Sequence, residues 1–194
     1  SDDKDLLAAL QWMADPDGNP ATADGAKIVS CSWNVDPVDG TPSSTDDPFC
    51  QAAENLRRLG IVPVFSAGND GPGSSSIKPP GACPAAFTVG ATDDVDHLAD
   101  FSSRGPSHWH DVELIKPDVV APGVDILSSV PGGYGHKSGT SMSTPHVAGA
   151  FALVLQARPG STADEAMEAI RRGAKDLGYP GKDDSFGSGR LDLV

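Results

Sequence analysis

Brief apolar runs that alternate with helical stretches predict an α/β fold, with a mainly parallel sheet flanked by helices. Three observations carry that prediction. Lys27 to Ser32, Ile61 to Ser66 and Phe87 to Gly90 are short and largely apolar, the pattern of strands buried on both faces of a parallel sheet. Helix signals stand before, between and after them. The length, 194 residues, suits one domain or at most a domain and a fragment.

Asp5 to Met13 carries Leu6, Leu7, Leu10 and Met13 at helical spacing, led by acids and closed by Asp15-Pro16. The Asp-Pro-Asp-Gly-Asn-Pro stretch that follows is a turn. Lys27 to Ser32 is the first strand. Asp47 and Pro48 pair an N-cap with proline at the first helical position, and the helix runs to Leu59 with Gly60 as its stop. Ile61 to Ser66 reads as a strand despite Pro63. A loop rich in Gly, Ser and Pro fills Gly68 to Gly81, and Phe87 to Gly90 is the next strand. Val119-Val120 and Ile126 to Ser129 are short strands among turns. Pro145 to Ala157 is almost wholly apolar, which predicts a buried helix. Ser161 with Asp164 has the capping-box pattern and opens a last helix ending near Arg172. The sequence contains no internal repeat.

The formal charge of −13 excludes a surface built to grip nucleic acid or anionic lipid, since both reward clustered Lys and Arg. The longest apolar or glycine run, Val147 to Leu155, is far short of the roughly 20 residues that span a bilayer. The opening Ser-Asp-Asp-Lys-Asp is acidic where a signal peptide is basic, so an export signal is expected upstream or already removed. Cys31, Cys50 and Cys83 cannot all pair within one chain. One disulfide with a free thiol and three buried thiols both remain open. The 22 glycines and 17 prolines promise many turns and functional loops.

The densest chemical signal is Gly139-Thr140-Ser141-Met142-Ser143-Thr144-Pro145-His146. A serine beside the start of a buried helix has unpaired N–H groups and partial positive charge near its hydroxyl, which favour an anion developing there. The plainer reading is that Ser141 or Thr144 caps the helix. The Gly-x-Ser-x-Gly elbow of the α/β-hydrolases does not fit, because the fifth position is Ser143 and no strong strand precedes.

The order of blocks resembles the subtilisin-like serine proteases over nearly the whole chain. Ser66-Ala67-Gly68-Asn69-Asp70-Gly71, Phe101-Ser102-Ser103-Arg104-Gly105-Pro106 and Lys116-Pro117-Asp118-Val119-Val120-Ala121-Pro122-Gly123 precede the Gly-Thr-Ser block in the family's order. Asn69 to Gly73, Leu98 to Ser107 and Ser128 to Gly133 are most similar to the bacillopeptidase F branch. The resemblance implies a subtilisin-like fold, Ser141 as nucleophile and Asn69 as donor to the oxyanion. It further implies that Ser32-Trp33-Asn34 and Ser66-Ala67-Gly68 are the two walls of the primary specificity pocket. Asn34 departs from the family, which has glycine there; it is expected to narrow the groove or to force different backbone angles.

A serine nucleophile needs a base and an orienting acid. The family's Asp-Thr-Gly and His-Gly-Thr-His contexts occur nowhere in these residues, so the chain is expected to be the C-terminal portion of a catalytic domain, truncated at its N-terminal side. On its own it is expected to be nearly inactive. His146 belongs to the family's Ser-x-x-Pro-His helix and is no substitute base; His97, His108, His110 and His136 are expected in loops. Asp93, Asp94 and Asp96 lack the spacing and glycine of a calcium loop and are expected to form a solvated turn. Calcium is common in the family, but its ligands cannot be assigned here. The truncation would turn Lys27 to Ser32 into an exposed edge, prone to pair with a second copy, a swapped element or the absent half. The reading is therefore a secreted serine endopeptidase acting on polypeptides, set against a non-catalytic peptide-binding module of the same fold.

Overall fold

The computed structural model describes residues 3–36 and 47–193. In chain order the elements are α1 (Asp3–Ala14), β1 (Ile28–Cys31), α2 (Pro48–Arg58), β2 (Val62–Ser66), β3 (Phe87–Thr92), β4 (Ser107–Trp109) and β5 (Val112–Leu114). They continue with β6 (Val119–Pro122), β7 (Ile126–Val130), β8 (Gly133–Lys137), α3 (Thr140–Ala157) and α4 (Ala163–Gly173). β1, β2, β3 and β6 form one parallel sheet in that spatial order, with Val29 beside Pro63, Val64 beside Phe87 and Val89 beside Val119. β4–β5 and β7–β8 are antiparallel hairpins. The predicted α/β class, with a parallel sheet between helices, is the observed one.

β2 is buried throughout because both its faces are covered. Val62 and Val64 join Phe87, Val89, Val119, Val147, Phe151 and Met167 in a core under α3 and α4. Phe65 points the other way, into a second core with Leu10 of α1, Phe49 and Leu56 of α2, and Val29 of β1. That core carries the Cys50–Cys83 disulfide, with Cα atoms 5.3 Å apart, and leaves Cys31 as a buried free thiol. Of the two cysteine readings, the disulfide with one free thiol is correct. Burial pushes the Cys31 thiol up to about 12, against a smaller downward pull from a hydrogen bond with Trp33.

Capping agrees with the sequence at α2, where the Asp47 carboxylate accepts from the Phe49 and Cys50 N–H groups. At α4 the capping box is one residue later than expected. Thr162 and Glu165 exchange the two bonds, because Thr162 is the extended residue before the helix. Asp164 is drawn instead to Arg57 of α2 at 2.6 Å.

Beneath α4 lies a buried charge network. Lys116 Nζ donates to the Ala86 carbonyl (2.6 Å), Thr88 Oγ1 (3.1 Å) and Asp118 Oδ2 (2.8 Å). Asp118 Oδ1 accepts from Arg171 Nε and Nη2 at 3.0 and 2.9 Å, and Oδ2 also takes the Thr88 N–H. Burial alone would raise the Asp118 carboxyl, but Lys116, Arg171 and Lys182 outweigh it and hold it at about 2. Burial draws Lys116 below the ordinary lysine range despite Asp118. The network ties α4 to β3 and to the segment that leads into β6.

Candidate active site

α3 begins at Thr140, five residues before the expected Pro145. Proline in a helix interior has no N–H for the carbonyl four residues back, and here that carbonyl belongs to Ser141. The orphan is satisfied from outside: Ser32 Oγ donates to the Ser141 oxygen at 2.9 Å. The helix thus tolerates Pro145 because a residue just past β1 supplies the missing donor. Neither Ser141 nor Thr144 is the cap. Gly139 occupies that position with no side-chain cap bond, and Thr144 Oγ1 donates back to the Thr140 carbonyl.

The start of α3 is bolted to the end of β2 through Thr140, a residue 1 % exposed. Its N–H donates to Asn69 Oδ1 at 3.0 Å, its hydroxyl donates to the same oxygen at 3.0 Å, and that hydroxyl accepts from the Gly68 N–H at 3.2 Å. A backbone N–H can bond only an acceptor, so Asn69 must turn Oδ1 toward Thr140 and Nδ2 away from it. Asn69 is exposed, and its Nδ2 has no partner among the described residues. The Ser141 N–H, in the first turn with no carbonyl behind it, is likewise unpaired among them. Two donors are therefore left open on either side of Thr140.

Ser141 is half-buried, and its Oγ donates weakly to the Ser32 carbonyl at 3.3 Å. No histidine or carboxylate bonds it among the described residues. His146 turns its Nδ1 to the Met142 carbonyl at 2.8 Å, a contact within its own helix. On the far side of Ser141 an open cavity of about 330 Å³ is bounded by Ile126, Leu127, Ser128, Met142, Pro145 and His146. A larger cleft of about 420 Å³ runs along α2 to Trp109 and shares no residue with it.

The segments Ser32–Asn34 and Ser66–Gly68 lie side by side, as the continuations of adjacent strands β1 and β2. Trp33 packs edge-on to Phe49 and Phe65, and Ser66 and Ala67 are buried. Gly68 has φ +104°, and a β-carbon on it would lie 2.5 Å from Asn34 Nδ2 and 3.0 Å from Ser103 Oγ. The structure thus brings Ser141, Asn69 and both segments together at one end of the sheet.

Two residues that hold this end were not singled out from sequence, although both stand inside the motif blocks. Thr140 orients Asn69. Ser103 supports the loop that carries Asn69, its N–H bonding the Gly68 carbonyl and its Oγ accepting from the Asp70 N–H. Nothing in a motif distinguishes a residue that holds from one that reacts.

Asp93 accepts from the Val95 and His97 N–H groups, and Asp96 pairs with Lys175 at 2.9 Å and Arg190 at 2.6 Å. That stretch is less solvated than expected, because two cations from the C-terminal segment hold Asp96. Carboxylates of Asp15, Asp17 and Asp24 approach within 4.8 Å of one another in the loop after α1, on residues that share nothing with the Ser141 region.

A family model for the subtilases matches residues 1–189. Bacillopeptidase F of Bacillus subtilis (strain 168) is 38 % identical over 186 residues, covering 90 % of this chain and 12 % of that protein. Serine protease AprX of the same organism is 41 % identical over 192 residues, covering 87 % of this chain and 42 % of the relative. The chain thus spans less than half the length of either. Among solved structures, sphericase superposes with a TM-score of 0.84 at 26 % identity, over 100 % of this chain and 64 % of its own. A psychrophilic protease, S41, gives 0.82 at 26 %, over 98 % and 63 %.

Proposed function

The chain belongs to the subtilase family, and on that premise we propose that it is the part of a serine endopeptidase that supplies the nucleophile and the oxyanion donors. Ser141 Oγ attacks the carbonyl carbon of a peptide bond as the base takes its proton; the C–N bond then breaks, the base returning that proton to the departing amine, and water later hydrolyses the acyl-enzyme left on Ser141. The oxygen, as it becomes negative, is received by Asn69 Nδ2 on one side and the Ser141 N–H on the other. The observation that carries this reading is the pair of hydrogen bonds that Thr140 donates to Asn69 Oδ1, which leaves Nδ2 as an open donor beside the nucleophile's own N–H. A simple helix cap needs no such arrangement, and Ser141 does not act as one.

The 3.3 Å bond from Ser141 to a backbone carbonyl does not activate the hydroxyl, since a carbonyl takes no proton at neutral pH. The base and its orienting acid come from sequence upstream of Ser1. The chain alone is then nearly inactive; in subtilisin itself, loss of the histidine costs about 10⁶-fold in kcat. Substrates are polypeptides. Export fits the Cys50–Cys83 disulfide, which oxidising compartments preserve, and no helix among the described residues is long and apolar enough to cross a membrane. The β1 edge, paired only with β2 among the described residues, is where the absent half or a second copy adds.

The test is covalent labelling of the full-length protein by a fluorophosphonate. Labelling at neutral pH that Ser141→Ala abolishes is expected. No labelling of the full-length, folded protein overturns the peptidase reading and favours a peptide-binding module instead.

A further inference from the structure

Three consecutive residues beyond β1 are fastened, one after another, to the opposite side of the slot that ends at Asn69. Asn34 lays its Nδ2 against Gly68, within 2.5 Å of where a β-carbon would be. The Val35 N–H donates to the Pro79 carbonyl at 2.8 Å. Asp36 Oδ1 meets Lys78 Nζ at 3.0 Å, and the same ammonium reaches Asp70 Oδ2, next to Asn69, at 3.1 Å. The Lys78 ammonium is held charged, chiefly by its hydrogen bond to Asp36 and then by that to Asp70.

A slot between two extended backbones takes a side chain only as deep as its floor allows. Here the amide of Asn34 occupies the space over Gly68, 2.5 Å from where a β-carbon would be. The Asp36–Lys78–Asp70 bridge joins the Asn34 arm to the segment that carries Asn69, and its one cation offsets one of its two carboxylate charges. Its side chains are 87 %, 35 % and 50 % exposed, so its worth is in position rather than in stability. Resting on the peptidase reading above, we propose that this slot admits only a small side chain at the residue whose carbonyl is attacked. Asn34 sets the size limit, and Lys78 weakens the pull of Asp36 and Asp70 on a cationic side chain.

The experiment compares kcat/KM of the full-length protein on peptide anilides that differ only in the residue bearing the scissile carbonyl: alanine, phenylalanine or lysine. Alanine is expected to exceed phenylalanine by about tenfold, the scale on which a pocket discriminates by size. Asn34→Gly is expected to shift the phenylalanine-to-alanine ratio upward about tenfold or more. Lys78→Met frees two carboxylates at the mouth and is expected to raise lysine relative to phenylalanine, in a salt-sensitive way. A wild-type preference for phenylalanine, or ratios unmoved by either variant, overturns this inference while turnover and fluorophosphonate labelling persist. Absence of both turnover and labelling overturns the peptidase reading, and this inference with it.

Discussion

Replacing Asp118 by asparagine tests the buried network under α4. The substitution keeps the shape of the side chain and removes its charge. Lys116 and Arg171 lose their shared anion in a site where Lys116 and Asp118 side chains are 5 % and 3 % exposed. Breaking a buried pair in this way costs about 3–5 kcal/mol, because an uncompensated charge is left inside. The pH dependence gives a second handle. The Asp118 carboxyl stands at about 2 in the folded protein against an ordinary 3.8, which corresponds to roughly 2–3 kcal/mol of linked stability. A carboxyl lowered on folding contributes fully above its unfolded value and loses that contribution as pH falls. The loss is therefore expected between about pH 5 and pH 2. Urea unfolding across that range should show the wild type losing stability on acidification. Asp118→Asn should be weaker at neutral pH and should lose less on acidification. A variant within about 1 kcal/mol of wild type at neutral pH, with an unchanged acid limb, would refute the argument.

Ser143→Ala addresses the opposite case. Ser143 is fully buried in α3 and its Oγ has no hydrogen-bond partner among the described residues, so removing the hydroxyl is expected to be neutral or to stabilise by about 1 kcal/mol in urea unfolding. A loss of more than that would mean the oxygen is bonded after all. The β1 edge is expected to drive self-association of the 194-residue chain, read as a rising sedimentation coefficient with concentration; a clean monomer at high concentration would count against it.

Much of the fold was legible along the chain because its signals are local. The buried runs, the Asp47-Pro48 start of α2 and the helical spacing in α1 depend on neighbours within a few residues. The boundaries that shifted did so for reasons far away. Proline at 145 argues for a helix start when read locally, and the start moved to Thr140 because Ser32, 109 residues distant, satisfies the Ser141 carbonyl. The capping box slid from Ser161 to Thr162 where Asp164 found Arg57 on another helix.

The sequence by itself determined the class of fold, the motif order that marks the family, and the identities of Ser141 and Asn69 as the residues to watch. The class of fold rests on periodicity and turn chemistry, while the family and the two residues rest on the resemblance of motif blocks in order, all of which a linear chain displays. Only the tertiary structure decided that Cys50 pairs with Cys83, that Asp118 is shared by Lys116 and Arg171, and that Thr140 turns the Asn69 amide outward. It also decided that Asn34 lies over Gly68. Apart from the Lys116–Asp118 pair, which is two residues apart, each of these joins residues 33 to 71 positions apart or follows from such a contact. Hydrogen bonds and ion pairs act over a few ångströms, so which partners meet is set by how the sheet and helices stack.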